Sequence, residues 1–146
     1  MNEPSDAHLS GSKNRGIIME WMLMPLKRYA EFSGRSRRKE YWMFVLFYVM
    51  VFVVLSILEG ITGLRGTVGP YGPLTALFGL ALIVPSIAVG IRRLHDTDRS
   101  GWWILIALVP LVGTLILLYF YVLEGTKGPN QYGEDPKGGT NSEVFA

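Results

Sequence analysis

The chain has no cysteine, which excludes disulfides and thiolate metal sites. It also lacks charge over three long stretches, 41–58, 74–91 and 100–123. A core helix of a soluble protein normally carries a charged outer face. Helices with no charge anywhere around them call for lipid as their solvent. The three stretches hold hydroxyls such as Ser56, Thr75, Ser86 and Thr114 but no acid, base or histidine. Ion- and proton-coupled transport generally draws on such groups at membrane depth, so their absence argues against a monomeric transporter. The formal net charge is only +2 and no recognisable nucleic-acid motif is present, so a nucleic-acid binder is not expected. Neither a G-x-S-x-G elbow, a Walker A loop nor an H-E-x-x-H pair occurs.

What is there is apolar. Hydrophobic residues make up 49% of 146, and the mean hydropathy is +0.28. The charge-free stretches predict spans at 41–58, 74–91 and 102–123. Eighteen residues at ~1.5 Å each give about 27 Å, near the roughly 30 Å of bilayer hydrocarbon. Pro85 is expected to kink the second span, whose Ser86 and Gly90 present a small face to a neighbouring helix. Trp102 and Trp103 are expected at one interface of the third span and Tyr119 and Tyr121 near the other, with a bend allowed at Pro110 and Gly113.

Ahead of the spans, Ile18, Trp21, Met22, Pro25, Tyr29 and Phe32 fall on one side of a helix, with Glu20, Lys27 and Glu31 opposite. This predicts an amphipathic helix in the membrane interface, split or kinked at Pro25. The expected architecture is all-α: a polytopic helical membrane protein with three transmembrane helices and an N-terminal interfacial helix. Its parts are a disordered extension (1–18), a membrane domain (19–137) and a disordered tail (138–146). Met19 is an alternative start, and 17–26 is too short and too interrupted, by Glu20 and Pro25, for a cleavable signal. Residues 59–73, with glycine at every third position from Gly60 to Gly72, read as a flexible loop.

Lysine and arginine set the topology. The first 40 residues hold eight of the 14, the first loop only Arg65, the second loop Arg92, Arg93 and Arg99, and the tail Lys127 and Lys137. With three spans, the positive-inside rule puts the N-terminus and second loop in the cytoplasm and the C-terminus outside.

The most polar segment is "RRLHDTDRSGWW", 92–103, between the second and third charge-free stretches. His95, Asp96 and Asp98 are residue types that bind divalent metals or move protons, but their spacing is not that of a metal site, and no cofactor is expected. A salt-bridged turn is expected instead, with Asp96 paired to cytoplasmic arginines near Glu40. Arg35, Arg37, Arg38, Arg92, Arg93 and Arg99, with Trp102 at the interface, are candidates for structural pairing or for contact with anionic headgroups or a partner protein.

The segments "FSGRSRRKEYW", "PSIAVGIRRLHDTDRSGWW" and "GPNQYGEDP" together resemble one family, the small bacterial inner-membrane proteins grouped as domain of unknown function 805. The resemblance covers about 19–137. Arg92, Arg93, Leu94, His95, Asp96, Thr97, Arg99, Ser100, Gly101 and Trp102 match its hallmark, whereas Asp98 stands where glycine is usual. The resemblance implies a bacterial membrane protein and no particular reaction. The leading expectation is a non-enzymatic component of the inner membrane that contacts lipid, a membrane-protein partner or its own copies. The rivals are a membrane enzyme acting on a phosphate- or lipid-linked substrate and an oligomeric channel.

Overall fold

Four α-helices and one 3₁₀ segment follow one another in the computed structural model, which describes residues 7–138. They are α1 (Ala7–Lys27), α2 (Arg38–Thr62), α3 (Pro73–Asp96), the 3₁₀ limb (Gly101–Leu108) and α4 (Val112–Val122). Among the described residues there is no strand, only isolated bridges at Val68–Tyr71 and Asn130–Gly133.

α1 starts at Ala7, well upstream of Ile18, so helix replaces the disorder expected for this part of 1–18. Nucleation is the costly step of helix formation, and a turn established over 18–27 is cheaply extended backwards. The other residues expected to be disordered, 1–6 and 139–146, lie outside the described residues. Pro25 does not split the helix; it sits in the last turn, and the helix ends at Lys27.

α2 and α3 are long and apolar enough to cross a membrane. With 25 and 24 residues, at ~1.5 Å per residue, both exceed the roughly 30 Å hydrocarbon core. α2 runs on to Thr62, so Glu59 and Gly60 belong to a helix rather than to the glycine-rich loop. Glu59 is buried there, and its carboxylate accepts from the backbone N–H groups of Gly72 (3.2 Å) and Thr75 (3.0 Å) and from the Thr75 hydroxyl (2.6 Å). The first N–H groups of a helix have no partner within it. Here an acid from the preceding helix supplies the cap, and its charge opposes the positive end of the α3 dipole.

Pro85 lies inside α3 and removes the N–H that would bond the Ala81 carbonyl. The Tyr29 hydroxyl donates to that carbonyl. The chain after α1 thus satisfies a backbone group that would otherwise be stranded in the apolar zone.

The third charge-free stretch is not one continuous helix. The 3₁₀ limb and α4 form a hairpin turned at Val109–Leu111. Pro110 cannot continue a helix, and Leu111 (φ 64°, ψ −66°) centres a γ-turn closed by Val112 N–H to the Pro110 carbonyl at 2.8 Å. Gly113 then lets the two limbs touch: a Cβ there would lie 1.7 Å from the Ile106 carbonyl oxygen. Both open ends of the hairpin reach the same level of α3, for Ile104 and the Tyr121 hydroxyl both abut Gly90. Trp103 packs edge-on against Phe120, ring centroids 5.5 Å apart. The tryptophans of 102–103 and the tyrosines of 119–121 therefore share one end of the molecule, not two interfaces. The tail returns to the end of α3 with them, because Thr126 N–H donates to the Asp96 carbonyl at 2.8 Å. A hairpin thus stands where a third spanning helix was expected, and the described tail returns to the end of the bundle that carries the second loop.

Three substitutions test the arrangement by thermal melts in detergent. Gly113→Ala should lower stability by about 1–3 kcal/mol, the usual cost of forcing extra volume into a packed contact. Tyr29→Phe should cost about 1–3 kcal/mol by leaving the Ala81 carbonyl unsatisfied. Gly60→Ala, where a Cβ meets nothing within 4 Å, should be neutral or stabilising by up to about 1 kcal/mol.

Candidate functional site: the arginine-locked end of the bundle

The last turn of α3 sends consecutive side chains in different directions, ~100° apart. Each reaches a different part of the chain. Arg92 and Arg93 are both fully buried (0% exposed). Arg92 pairs with Glu40 of α2 at 3.2 Å, donates to the Ser36 hydroxyl at 3.0 Å, and donates to the carbonyls of Arg28 and Glu31. It therefore holds the end of α1 and the α1–α2 linker. Arg93 pairs with Asp96 at 2.6 Å and donates to the Tyr121 and Leu123 carbonyls, which end α4. Arg35 completes the set. It pairs with Asp96 at 3.0 Å and donates to the carbonyls of Thr126 (2.6 Å) and Gly128 (2.7 Å) in the tail.

Three buried guanidinium groups thus face two buried carboxylates. Backbone carbonyls take up the remaining donors, several of them at the partially negative C-terminal ends of helices. Among the described residues no buried side-chain nitrogen or oxygen lacks a hydrogen-bond partner. That completeness matters, because a desolvated charge without partners is costly and removing one member of a buried pair costs about 3–5 kcal/mol.

The tail closes the site from the other side. The orphan carbonyls of α3 are taken by Thr126, which donates to Asp96, and by the Asn130 side-chain amide, which donates to the His95 carbonyl at 2.9 Å. Gly125 passes so close to Asp96 that a Cβ would lie 2.1 Å from its Oδ2. Asp135 pins the outer turn: the Lys137 and Gly128 N–H groups that bond its carboxylate hold it below its ordinary range.

His95 points elsewhere. Its Nδ1 lies 3.1 Å from the Gly34 carbonyl oxygen, and its ring stacks on Tyr132 at 4.0 Å and 3°. Among the described residues no group of three or more acids and histidines gathers to hold a metal. The other sequence candidates lie around the network. Arg37 sits over the Trp21 ring and donates to the Pro136 carbonyl. Arg38 donates to the Val122 carbonyl at 3.1 Å. Arg99 lies 4.2 Å from the Phe120 ring centroid. Trp102 is 80% uncovered by protein and outside the network. Of the arginines that were candidates for structural pairing or for headgroup contact, Arg35, Arg92 and Arg93 are turned inward.

Ser36, Thr126, Asn130, Tyr132 and Glu59 escaped the sequence reading. The tail residues had a signal, since "GPNQYGEDP" was one of the three segments carrying the family resemblance. A disordered segment has no reason to share a pattern.

Residues 29–134 match the family model described as protein of unknown function (DUF805), a range that holds Arg35, Arg92 and Arg93 and both of their carboxylate partners. The chain belongs to this family. It is 51% identical over 123 residues to inner membrane protein YhaI of Escherichia coli strain K12, covering 84% of this chain and 100% of the relative. It is 47% identical over 119 residues to inner membrane protein YhaH of the same strain, covering 82% and 98%. No solved structure matches. The family frame also explains one departure. Asp98, the one position at which the hallmark segment departs from what the resemblance implies, has a φ of +57°. Glycine takes this left-handed conformation freely, and aspartate is among the few other residues that tolerate it.

Asp96→Asn should therefore cost about 3–5 kcal/mol, while Asp98→Gly should be neutral or stabilising by roughly 1 kcal/mol or less. His95→Ala should cost less than Asp96→Asn, and EDTA should leave the wild-type melt unchanged. Melting curves of the four samples decide this together.

Proposed function

We propose that the chain is a non-enzymatic component of the bacterial cytoplasmic membrane. In this reading it crosses the bilayer twice, dips into it once, and keeps both ends of its described chain on the cytoplasmic side. The observation that carries this reading is the engagement of the second loop. The groups that chemistry would need, Asp96, Glu40 and the arginines, are occupied by one another and by carbonyls that hold the fold together. A site so completely saturated serves architecture.

The charge distribution supports the sidedness. Every lysine and arginine except Arg65 lies in the first 40 residues, the second loop or the tail. With the tail returned to the same end, the positive-inside asymmetry is stronger than three crossings allow. Cations at the surface of this end, among them Lys27, Lys39 and Lys127 with the half-exposed Arg38 and Arg99, are placed to meet anionic headgroups at roughly 1 kcal/mol each.

A reporter fused after Gly138 should be active when it matures in the cytoplasm and silent when its activity requires export; the opposite pattern would overturn the sidedness. In detergent, phosphatidylglycerol should raise the melting temperature more than phosphatidylcholine, and Lys39→Gln with Lys127→Gln should shrink that difference. An equal response to both lipids would remove the headgroup part of the proposal.

A further inference from the structure

His95 stands outside the arginine lock, and its ring is fixed with one nitrogen unused. The Gly34 carbonyl can only accept, so Nδ1 carries the proton and donates to it at 3.1 Å. Stacking on Tyr132 holds the plane of the ring. In the neutral imidazole Nε2 then presents a lone pair. Among the described residues no hydrogen bond reaches Nε2, and no buried side-chain nitrogen lacks a partner, so this atom opens on the surface. It opens on a cleft of about 340 Å³ between the end of α3, the 3₁₀ limb and the linker after α1. Gly101 lies in the wall of that cleft, where a Cβ would stand 3.4 Å from Nε2.

The cleft is polar at its mouth and apolar below. His95 and Ser100 stand at the level where α3 ends, and the bond from the Arg99 N–H to the Leu94 carbonyl keeps Ser100 there. The Ser100 hydroxyl accepts from the Trp102 N–H, and its own proton goes to no group among the described residues. Ile91, one turn earlier in α3, and Ile104, which abuts Gly90, wall the deeper part with Leu105. Trp102, 80% uncovered by protein, marks the interfacial level. One acceptor, one donor and an apolar floor complement the head and upper tail of an amphiphile. The lock next to them sets its charge. Three buried guanidinium groups against two carboxylates leave an excess of one positive charge in the buried set, which favours an anion.

We infer that this cleft is a binding site for an anionic phospholipid with a hydroxyl-bearing headgroup, phosphatidylglycerol. Its phosphodiester accepts from the Ser100 hydroxyl, a glycerol hydroxyl donates to His95 Nε2, and the upper part of an acyl chain lies along Ile91, Ile104 and Leu105. Phosphatidylcholine offers neither the net charge nor the donor. The inference rests on the membrane reading above and deepens its headgroup contact from surface cations to one built site.

The test compares phosphatidylglycerol with phosphatidylmethanol, which has the same charge and acyl chains but no hydroxyl. Native mass spectrometry of the full chain in detergent, at about pH 8 where an imidazole is neutral, gives the dissociation constant of each lipid. The wild type should bind phosphatidylglycerol about threefold to tenfold more tightly, the worth of one neutral hydrogen bond. His95→Asn puts an amide nitrogen in the place of Nδ1, so it can keep the bond to Gly34 while removing the acceptor; it should erase the difference between the two lipids. Leu105→Trp, at a position 51% uncovered by protein and outside the lock, fills the deeper part of the cleft and should weaken both lipids several-fold. Equal affinities in the wild type, a preference that survives His95→Asn, or unchanged binding in Leu105→Trp would overturn the site. Displacement of the lipid by an equal concentration of glycerophosphoglycerol, the headgroup without chains, would overturn the lipid as its occupant. Both lipids carry one negative charge, so this preference fails separately from the attraction of the surface lysines, which the comparison with phosphatidylcholine reads.

Discussion

A guanidinium taken out of water must find all of its partners inside the protein, and this chain does that three times at one end. Arg35, Arg92 and Arg93 each hold a carboxylate and the carbonyls of a different segment. Arg92 binds the end of α1, Arg93 the end of α4, and Arg35 the tail. The bundle therefore has no large soluble-type core joining its peripheral pieces; among the described residues the buried apolar cluster is small, centred on Leu94, Leu117 and Tyr121. In lipid there is little hydrophobic gain in bringing apolar helices together. Hydrogen-bonded charge supplies the specificity instead, and its demand for complete satisfaction fixes where the segments meet.

The same rule governs the backbone. Each proline inside the apolar zone disturbs a ladder of hydrogen bonds, and each disturbance is answered locally. Pro85 frees the Ala81 carbonyl and Tyr29 takes it. Pro110 ends one limb, and a γ-turn at Leu111 starts the next. At the far end of the bundle, Glu59 caps α3 across the loop. Acids thus staple both ends of the α2–α3 pair, Glu40 through an arginine and Glu59 through bare N–H groups. Irregular backbone in a membrane is tolerated where other groups re-satisfy it, and these contacts are that repair.

The sequence by itself determined the class of the protein. Three charge-free stretches and the asymmetry of Lys and Arg are one-dimensional properties, and they predict a helical membrane protein without reference to neighbours. The motif "RRLHDTDRSGWW" with its companions determined the family. Two spans could be read from length, because lipid thickness is an external ruler. Tertiary structure alone decided that the third stretch folds as a hairpin. A stretch of 22 residues satisfies the same ruler whether it crosses or turns back, and the choice depends on Gly113 meeting Ile106 and on Arg93 reaching the carbonyls at the end of α4. The partners of the arginines were likewise hidden. Charge pairing follows distance in space, and Arg35 and Asp96 are brought together only by the packing of α3 against the linker and tail. Periodicity reports which face of a helix is apolar, not what lies opposite it, and that physical gap is why the class was legible and the lock was not.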